Sequence, residues 1–173
     1  LYAHWSAISY KVTMNLNYGN VPETYTINAT YDSVIPDVEI PERAGYRFLG
    51  YWTGTTDRST QYIDENGHGL VTWTTTGNTT VLYAHWELIT YTISYNMQME
   101  NVTHSNPTTY TVEDDLFTLI NPEKYGAEFI GWTIGSSTTP STSQSIDTSQ
   151  AKDLTITAHW RGTITFHIDN EDY

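Results

Sequence analysis

Apolar and polar residues alternate along much of this chain, which is the pattern of a β-strand that buries one face. Over Ile8–Met14 every second residue is apolar, and the residues between them are polar. The alternation returns over Thr80–Trp86, where Leu82 and Ala84 share a face with the terminal Trp. Both segments are therefore predicted to be strands.

Five further segments carry weaker patterns. Thr24–Thr30 and Val71–Thr75 are rich in the residues that strands favour and are predicted to be strands. Ser33–Ile40 and Asp114–Ile120 are the places where a short helix is expected. Gly135–Ser149 is rich in Thr and Ser and is expected to form a long, mobile surface loop. The fold class that these patterns predict is mainly β, with a small α component at most.

The chain also repeats itself. LYAHW stands at Leu1–Trp5 and at Leu82–Trp86, and it returns as ITAHW at Ile156–Trp160. Because Ile8–Asn15 matches Ile89–Asn96 without a gap, the repetition indicates tandem structural units. The predicted units are the closing strand of a preceding repeat at 1–5, a first repeat at 6–86, a second at 87–160 and the start of another at 161–173. No Pro- or Gly-rich linker separates the full repeats, which predicts closely coupled units.

The copies predict which residues form the core of a repeat. In the closing strand the Leu/Ile, Ala and Trp positions are constant, whereas the opposite face changes from Tyr83 to Thr157. A constant face with a small residue between two large ones indicates packing, so the Trp residues are predicted to be buried. The predicted structural core contains Trp5, Trp86, Trp160, Phe48, Phe129, Trp132, Gly50 and Gly131.

Some aromatic residues are not shared between the copies. Trp52, Tyr62 and Trp73 have no aromatic counterpart in the second repeat. Exposed Trp and Tyr rings bind sugars and proteins at a low cost in conformational entropy, so these three are the candidate ligand-binding residues. The competing interpretation is that the first repeat has a somewhat different core.

His4, His85 and His159 recur on the strand face opposite the Trp residues. A recurring His suggests a metal ligand or a pH sensor. Each one, however, stands without a second His, Asp or Glu at ligand spacing. That arrangement favours a partly exposed strand residue that hydrogen-bonds a loop or a neighbouring unit. No nucleophile elbow, phosphate loop or HExxH sequence occurs, so we expect no catalytic residue, no metal and no cofactor.

The composition of the chain excludes some classes of binding partner. The 173 residues carry a net charge of −13 and include no cysteine. A chain of this charge repels nucleic acid and anionic lipid, so neither is an expected partner. No apolar run approaches 18 residues, so direct membrane insertion is not expected.

A Pro-x-basic-x-Gly turn, the sequences GYRFLGYW and GAEFIGW, and the closing LYAHW together resemble the Listeria–Bacteroides repeat, also called the internalin-type B repeat. The resemblance implies small β-grasp-like units, similar to ubiquitin-like folds, in tandem along large secreted or wall-anchored bacterial proteins. It supplies no catalytic residues. With abutting units, it leads us to expect an elongated rod that acts as a stalk or spacer in an adhesin-like surface protein. The alternative is a module that binds a glycan or a host protein through the aromatics of the first repeat.

Overall fold

The computed structural model describes residues 1–19, 23–56 and 58–162. The chain divides into two compact units between Leu88 and Ile89. The boundary expected after residue 86 therefore falls inside the last strand of the first unit, which continues to Leu88. Of the residues 161–173 that were predicted to begin another repeat, the first two end strand β11, and 163–173 lie outside the described part of the chain.

The first unit is a five-stranded sheet. Its strands are β1 (Ser9–Asn15), β2 (Thr24–Thr30), β3 (Tyr46–Trp52), β4 (Gln61–Ile63) and β5 (Val81–Leu88). They lie in the order β2–β1–β5–β3–β4, with β1 and β5 parallel and the other neighbours antiparallel. The two strands with the clearest alternation thus lie side by side at the centre of the sheet.

The apolar positions of these strands form the core of the first unit, together with residues from the chain segments that connect the strands. Ile35 follows β2 and Trp73 precedes β5, and both are fully buried in this core. The buried cluster contains Val12, Met14, Ala29, Ile35, Phe48, Tyr51, Ile63, Trp73, Leu82 and Ala84.

The second unit repeats this plan, although its strand β7 has only two residues where β2 has seven. They are β6 (Tyr91–Asn96), β7 (Thr109–Tyr110), β8 (Phe117–Thr118), β9 (Ala127–Ile134), β10 (Ser145–Ile146) and β11 (Leu154–Gly162). Four of them form a sheet in the order β7–β6–β11–β9, again with the first and last strands of the unit, β6 and β11, parallel. The buried cluster contains Ile93, Tyr110, Leu119, Trp132, Ile146, Leu154, Ile156 and Ala158. The prediction of a mainly β fold is confirmed.

A glycine in β3 of the first unit and one in β9 of the second each allow two chain segments to approach closely. Gly50 has φ of 126° and Gly131 has φ of 145°, values that side-chain-bearing residues rarely adopt. A Cβ at Gly131 would lie 2.6 Å from the backbone N and C of Ser141, and one at Gly50 would collide with the carbonyl oxygen of Ile63. The register shifts beside both glycines, so each marks a β-bulge.

The same exposed cross-strand ion pair appears in both units with its charges exchanged. In the first unit Arg47 on β3 faces Glu87 on β5, and its Nε donates to that carboxylate at 2.8 Å. In the second unit Glu128 on β9 faces Arg161 on β11 at 3.3 Å. The positions are equivalent, but the carboxylate and the guanidinium have changed places.

Both segments expected to allow a helix are extended. In Ser33–Ile40, Val34 forms a bridge with Thr72. A helix is disfavoured in this segment because Pro36 has no N–H and biases the residue before it, Ile35, toward extended backbone. Asp114–Ile120 contains strand β8. Among the described residues, helix is limited to the 3₁₀ turn Thr148–Gln150.

Two other predictions of local structure are also wrong. Val71–Thr75 forms an isolated bridge through Thr72 instead of a strand, although its backbone is hydrogen-bonded to residues 33 and 35. Gly135–Ser149 is structured, because it contains β10 and buries Ile146. One apolar residue in a polar stretch is enough to attach that segment to the core, and the composition of the whole stretch conceals it.

Candidate functional site

The Trp of the closing strand is held in the same way in both units. Trp86 is half-buried, its Nε1 donates to the carbonyl oxygen of Leu16 at 2.8 Å, and the edge of Phe48 meets its ring at 5.5 Å. In the second unit the Nε1 of Trp160 donates to the carbonyl oxygen of Met97 at 2.8 Å, and Phe129 lies 5.1 Å from its ring. Each of these Trp residues thus connects the closing strand of its unit to the loop that follows the opening strand, through an indole–carbonyl hydrogen bond.

Trp5, predicted to lie in the core of a preceding repeat, is exposed among the residues that the structure describes, so its place in such a core stays a prediction. Its side chain is 93% exposed, and residues 1–8 form no strand. The residues that hold Trp86 precede it in the chain by 38 and 70 positions. For Trp5 the equivalent positions would fall before Leu1, so the described residues offer it no such contacts.

The three candidate ligand-binding aromatics do not form one exposed surface. Trp73 is fully buried, because its backbone N–H donates to the carbonyl oxygen of Ser33 at 2.7 Å and brings the ring into the core. Tyr62 is half-buried, with its ring 5.7 Å from that of Trp73. Trp73 is therefore a core residue, and a ligand cannot reach it without unfolding of the segment that carries it.

Trp52 lies elsewhere, at the end of β3. It is half-exposed, and its ring stacks on the imidazole of His85 at 4.3 Å with an interplanar angle of 29°. The Nε2 of His85 lies 2.8 Å from the carbonyl oxygen of Gly54, so the imidazole is fixed by a loop of its own unit. The result is a half-exposed indole stacked on an imidazole that a loop of the same unit holds in place.

The other histidines of the motif have different surroundings. His159 is half-buried and its Nε2 lies 2.9 Å from the hydroxyl of Thr133, whereas His4 is exposed. Within the described ranges, no three His, Asp or Glu side chains are grouped closely enough to hold a metal ion. His85 and His159 thus occupy the positions of strand residues that hydrogen-bond within their own unit.

The perturbed tyrosines act as structural groups. Burial raises the pKa of the Tyr51 phenol well above its ordinary value, and this hydroxyl accepts a hydrogen bond from Tyr25 at 3.3 Å. Burial also raises the pKa of Tyr95 to about 12, and its hydroxyl donates to the carbonyl oxygen of Pro107 at 2.8 Å. These phenols remain protonated at neutral pH and therefore do not serve as bases.

The sequence reasoning missed a difference beside the closing-strand Trp. In the first unit the guanidinium carbon of Arg43 lies 3.4 Å from the centroid of Tyr46 and 5.9 Å from that of Trp86. In the second unit Ala127 replaces Tyr46, at the offset of 81 that relates the repeats. That offset was the signal that would have identified this site.

An open pocket results in the second unit. It encloses about 530 Å³ and is lined by Pro122, Glu123, Lys124, Tyr125, Ala127, Phe129 and Trp160. Phe48 is 5% exposed, whereas its counterpart Phe129 is only half-buried. Tyr46 and Phe48 lie two residues apart on β3 and so share a strand face, whereas Ala127 offers no ring on the same face as Phe129.

Two stretches of the chain, residues 10–85 and 91–159, match the Listeria-Bacteroides repeat domain. The chain is also similar to two proteins of Evansella cellulosilytica. It is 27% identical over 165 residues to one named "Putative Gly-rich membrane protein", which covers 92% of this chain and 17% of that protein. It is 27% identical over 137 residues to one named "Putative membrane protein", which covers 76% of this chain and 18% of that protein. No solved structure matches the chain.

The chain thus spans less than a fifth of the length of either of these curated relatives. In the part of the chain that the structure describes, no helix is long and apolar enough to cross a membrane.

Proposed function

The chain belongs to the Listeria–Bacteroides repeat family, and on that premise we propose that it is a non-catalytic tandem-repeat segment of a bacterial cell-surface or secreted protein. In this proposal it acts as a stalk or spacer in an adhesin-like protein outside the cell. The observation that carries the proposal is that the repeated residues have structural roles: Trp86 and Trp160 fasten strands, and Gly50 and Gly131 allow close packing. The names of the two relatives, both of which include "membrane protein", support a location at the cell surface.

Each repeat is proposed to be a β-grasp-like unit. The order β2–β1–β5–β3–β4, with the first and last strands parallel at the centre, supports this assignment for the first unit. The second unit has the equivalent parallel pair, β6 with β11. An extended crossover that contains Ile35 takes the place in which a helix would cover the sheet.

The stalk proposal depends on close coupling of the two units. Strand β5 ends at Leu88 and β6 begins at Tyr91, so two residues separate the sheets. A connection this short restricts the relative motion of two units far more than a Gly/Ser linker does. We therefore propose that the repeats form an elongated, stiff array.

Small-angle X-ray scattering tests this proposal. The native chain should scatter as one extended particle, and a matched variant with six Gly/Ser residues inserted between Leu88 and Ile89 should scatter as a flexible ensemble. Scattering from the native chain that requires an ensemble as broad as that of the insertion variant would contradict the stalk.

Trp52 favours a second candidate function, the binding of a glycan or a host protein. Its indole is half-exposed and is supported from behind by His85, which is itself fixed by Gly54. A ring that is already ordered loses little conformational entropy when a sugar or an apolar side chain stacks on it. A glycan array and a cell-binding assay test this candidate with Trp52→Ala, and with Trp5→Ala as an exposed-indole control. Binding that both variants retain equally would exclude this surface.

A further inference from the structure

The pocket beside Trp160 has an occupied counterpart in the first unit, and that occupant indicates what the pocket accepts. The guanidinium of Arg43 lies among three rings there, with its carbon 3.4 Å from the centroid of Tyr46, 5.5 Å from that of Tyr18 and 5.9 Å from that of Trp86. Cations over aromatic faces at such distances are attracted by the ring quadrupole. The first unit therefore fills this site with its own Arg side chain.

The second unit leaves the same place open. Lys124 stands at the position of Arg43, but its ammonium lies 3.2 Å from the carbonyl oxygen of Glu100 and 3.4 Å from that of Asn101. Those two carbonyl oxygens hold it to the neighbouring loop. Ala127 and Met99 stand where the first unit has Tyr46 and Tyr18, so the rings that line this pocket are instead those of Trp160, Phe129 and Tyr125, and no described cation lies over the face of Trp160.

Charge favours a basic occupant. Residues 89–162 contain eight carboxylates and three basic side chains, for a net charge of −5. Glu123 and Lys124 both line the pocket, but the ammonium of Lys124 donates to the carbonyl oxygens of Glu100 and Asn101. The ring of Tyr125, which also lines the pocket, is fully exposed. An acidic surface attracts basic partners and raises their rate of association.

From these observations we propose that the pocket of the second unit binds an arginine side chain presented by a basic segment of a partner protein. The guanidinium lies against Trp160 and Phe129, where Arg43 lies against Trp86 and Tyr46 in the first unit, and Glu123 neutralises its charge. Tyr125 closes over the aliphatic stem of the ligand. This site is separate from the spacer role, and its loss leaves the tandem array intact.

The test is an NMR titration of the whole chain with the peptide acetyl-Gly-Arg-Gly-amide. The backbone amides of Tyr125 and Ala127 and the indole N–H of Trp160 should shift in a saturable way. A peptide with citrulline in place of arginine has the same shape without the charge and should bind at least about tenfold more weakly, which corresponds to about 1.4 kcal/mol.

Glu123→Gln is the decisive variant, because it removes the proposed counter-charge from an exposed side chain and should therefore fold. It should weaken binding of the arginine peptide at least about threefold. The matched control Glu42→Gln makes the same change at the equivalent position of the first unit and should leave binding unchanged. The proposal is overturned if the arginine peptide shifts none of these resonances at millimolar concentration, if citrulline binds equally well, or if Glu123→Gln binds like the parent. It is also overturned if N-acetylglucosamine moves the same resonances and the arginine peptide does not, since that result identifies a sugar site.

Discussion

Gly131→Ala should damage the second unit far more than a substitution at any open glycine. A methyl group at this position meets the backbone of Ser141, whose N and C atoms would both lie 2.6 Å from the new Cβ. Ser141 cannot move away freely, because it exchanges two backbone hydrogen bonds with Trp132, of 2.9 and 3.0 Å. The fully buried ring of Trp132 would have to shift with it.

The expected loss has two sources. The backbone at Gly131, with φ of 145°, costs about 1–3 kcal/mol for a residue that has a Cβ. Displacement of a packed segment costs about 1–3 kcal/mol more, which gives about 2–6 kcal/mol in total. Gly135→Ala is the matched control, because its φ is also positive, at 56°, but no atom lies within 4 Å of the added Cβ. It should cost about 1–2 kcal/mol.

The assay is urea unfolding followed by NMR, with resolved amides of each unit read separately. Gly131→Ala should lower the midpoint for amides of the second unit and leave those of the first unit unchanged. If it lowers the free energy of unfolding no more than Gly135→Ala does, the steric reasoning is refuted.

Three further predictions concern the first unit. Trp86→Phe keeps a ring in place but removes the donor to the carbonyl of Leu16, and urea unfolding should show a loss of about 1 kcal/mol; a change near zero would mean that water replaces the indole. Arg47→Glu should destabilise the unit by less than about 1 kcal/mol, because both members of its pair with Glu87 are more than half exposed. Adding Glu87→Arg to this variant should restore stability in low salt. Failure of the double variant to do so would show that the pair contributes nothing. The hydrogen bond from His68 to Asp37 raises the pKa of His68, and the backbone N–H of Gly69 and then His68 lower the pKa of Asp37. The contribution of the His68–Asp37 pair to the stability of the first unit is therefore fully present between about pH 4 and 6.5. It is lost as pH rises through the raised pKa of His68 or falls through the lowered pKa of Asp37. In an NMR titration Asp37→Asn should return the pKa of His68 toward its ordinary value, and an unchanged titration would contradict this coupling.

Sequence repetition predicted the parts of the fold that depend on local pattern. Successive side chains of any strand point to opposite faces, so a strand with one buried face shows alternating apolar and polar residues. Strands β1 and β5 could therefore be located from this alternation before their partners were known. Gly50 and Gly131 were predicted to be core positions because the copies share them, and the structure adds that a Cβ at either position would collide with backbone atoms. The family itself, predicted from these motifs, is confirmed.

The remaining features depend on contacts between distant segments. Trp73 was a candidate either for ligand binding or for a different core, because it had no counterpart, and the backbone bond from its N–H to Ser33, 40 residues earlier, decides for the core. Likewise, nothing local to Gly135–Ser149 shows that Ile146 fills the core. The pocket beside Trp160 was in principle predictable, since it needed only the alignment of Tyr46 with Ala127.

The exchanged ion pairs bear on how two neighbouring repeats fold correctly. Similar units joined in one chain are prone to trade strands during folding, since each closing strand can enter the sheet of the other unit. If β11 entered the first sheet, Arg161 would face Arg47, and if β5 entered the second sheet, Glu87 would face Glu128. Like charges directly opposite each other on paired strands are destabilising. The exposed pairs contribute little to the finished fold, but they make the exchange of closing strands between the two units less favourable than the native pairing.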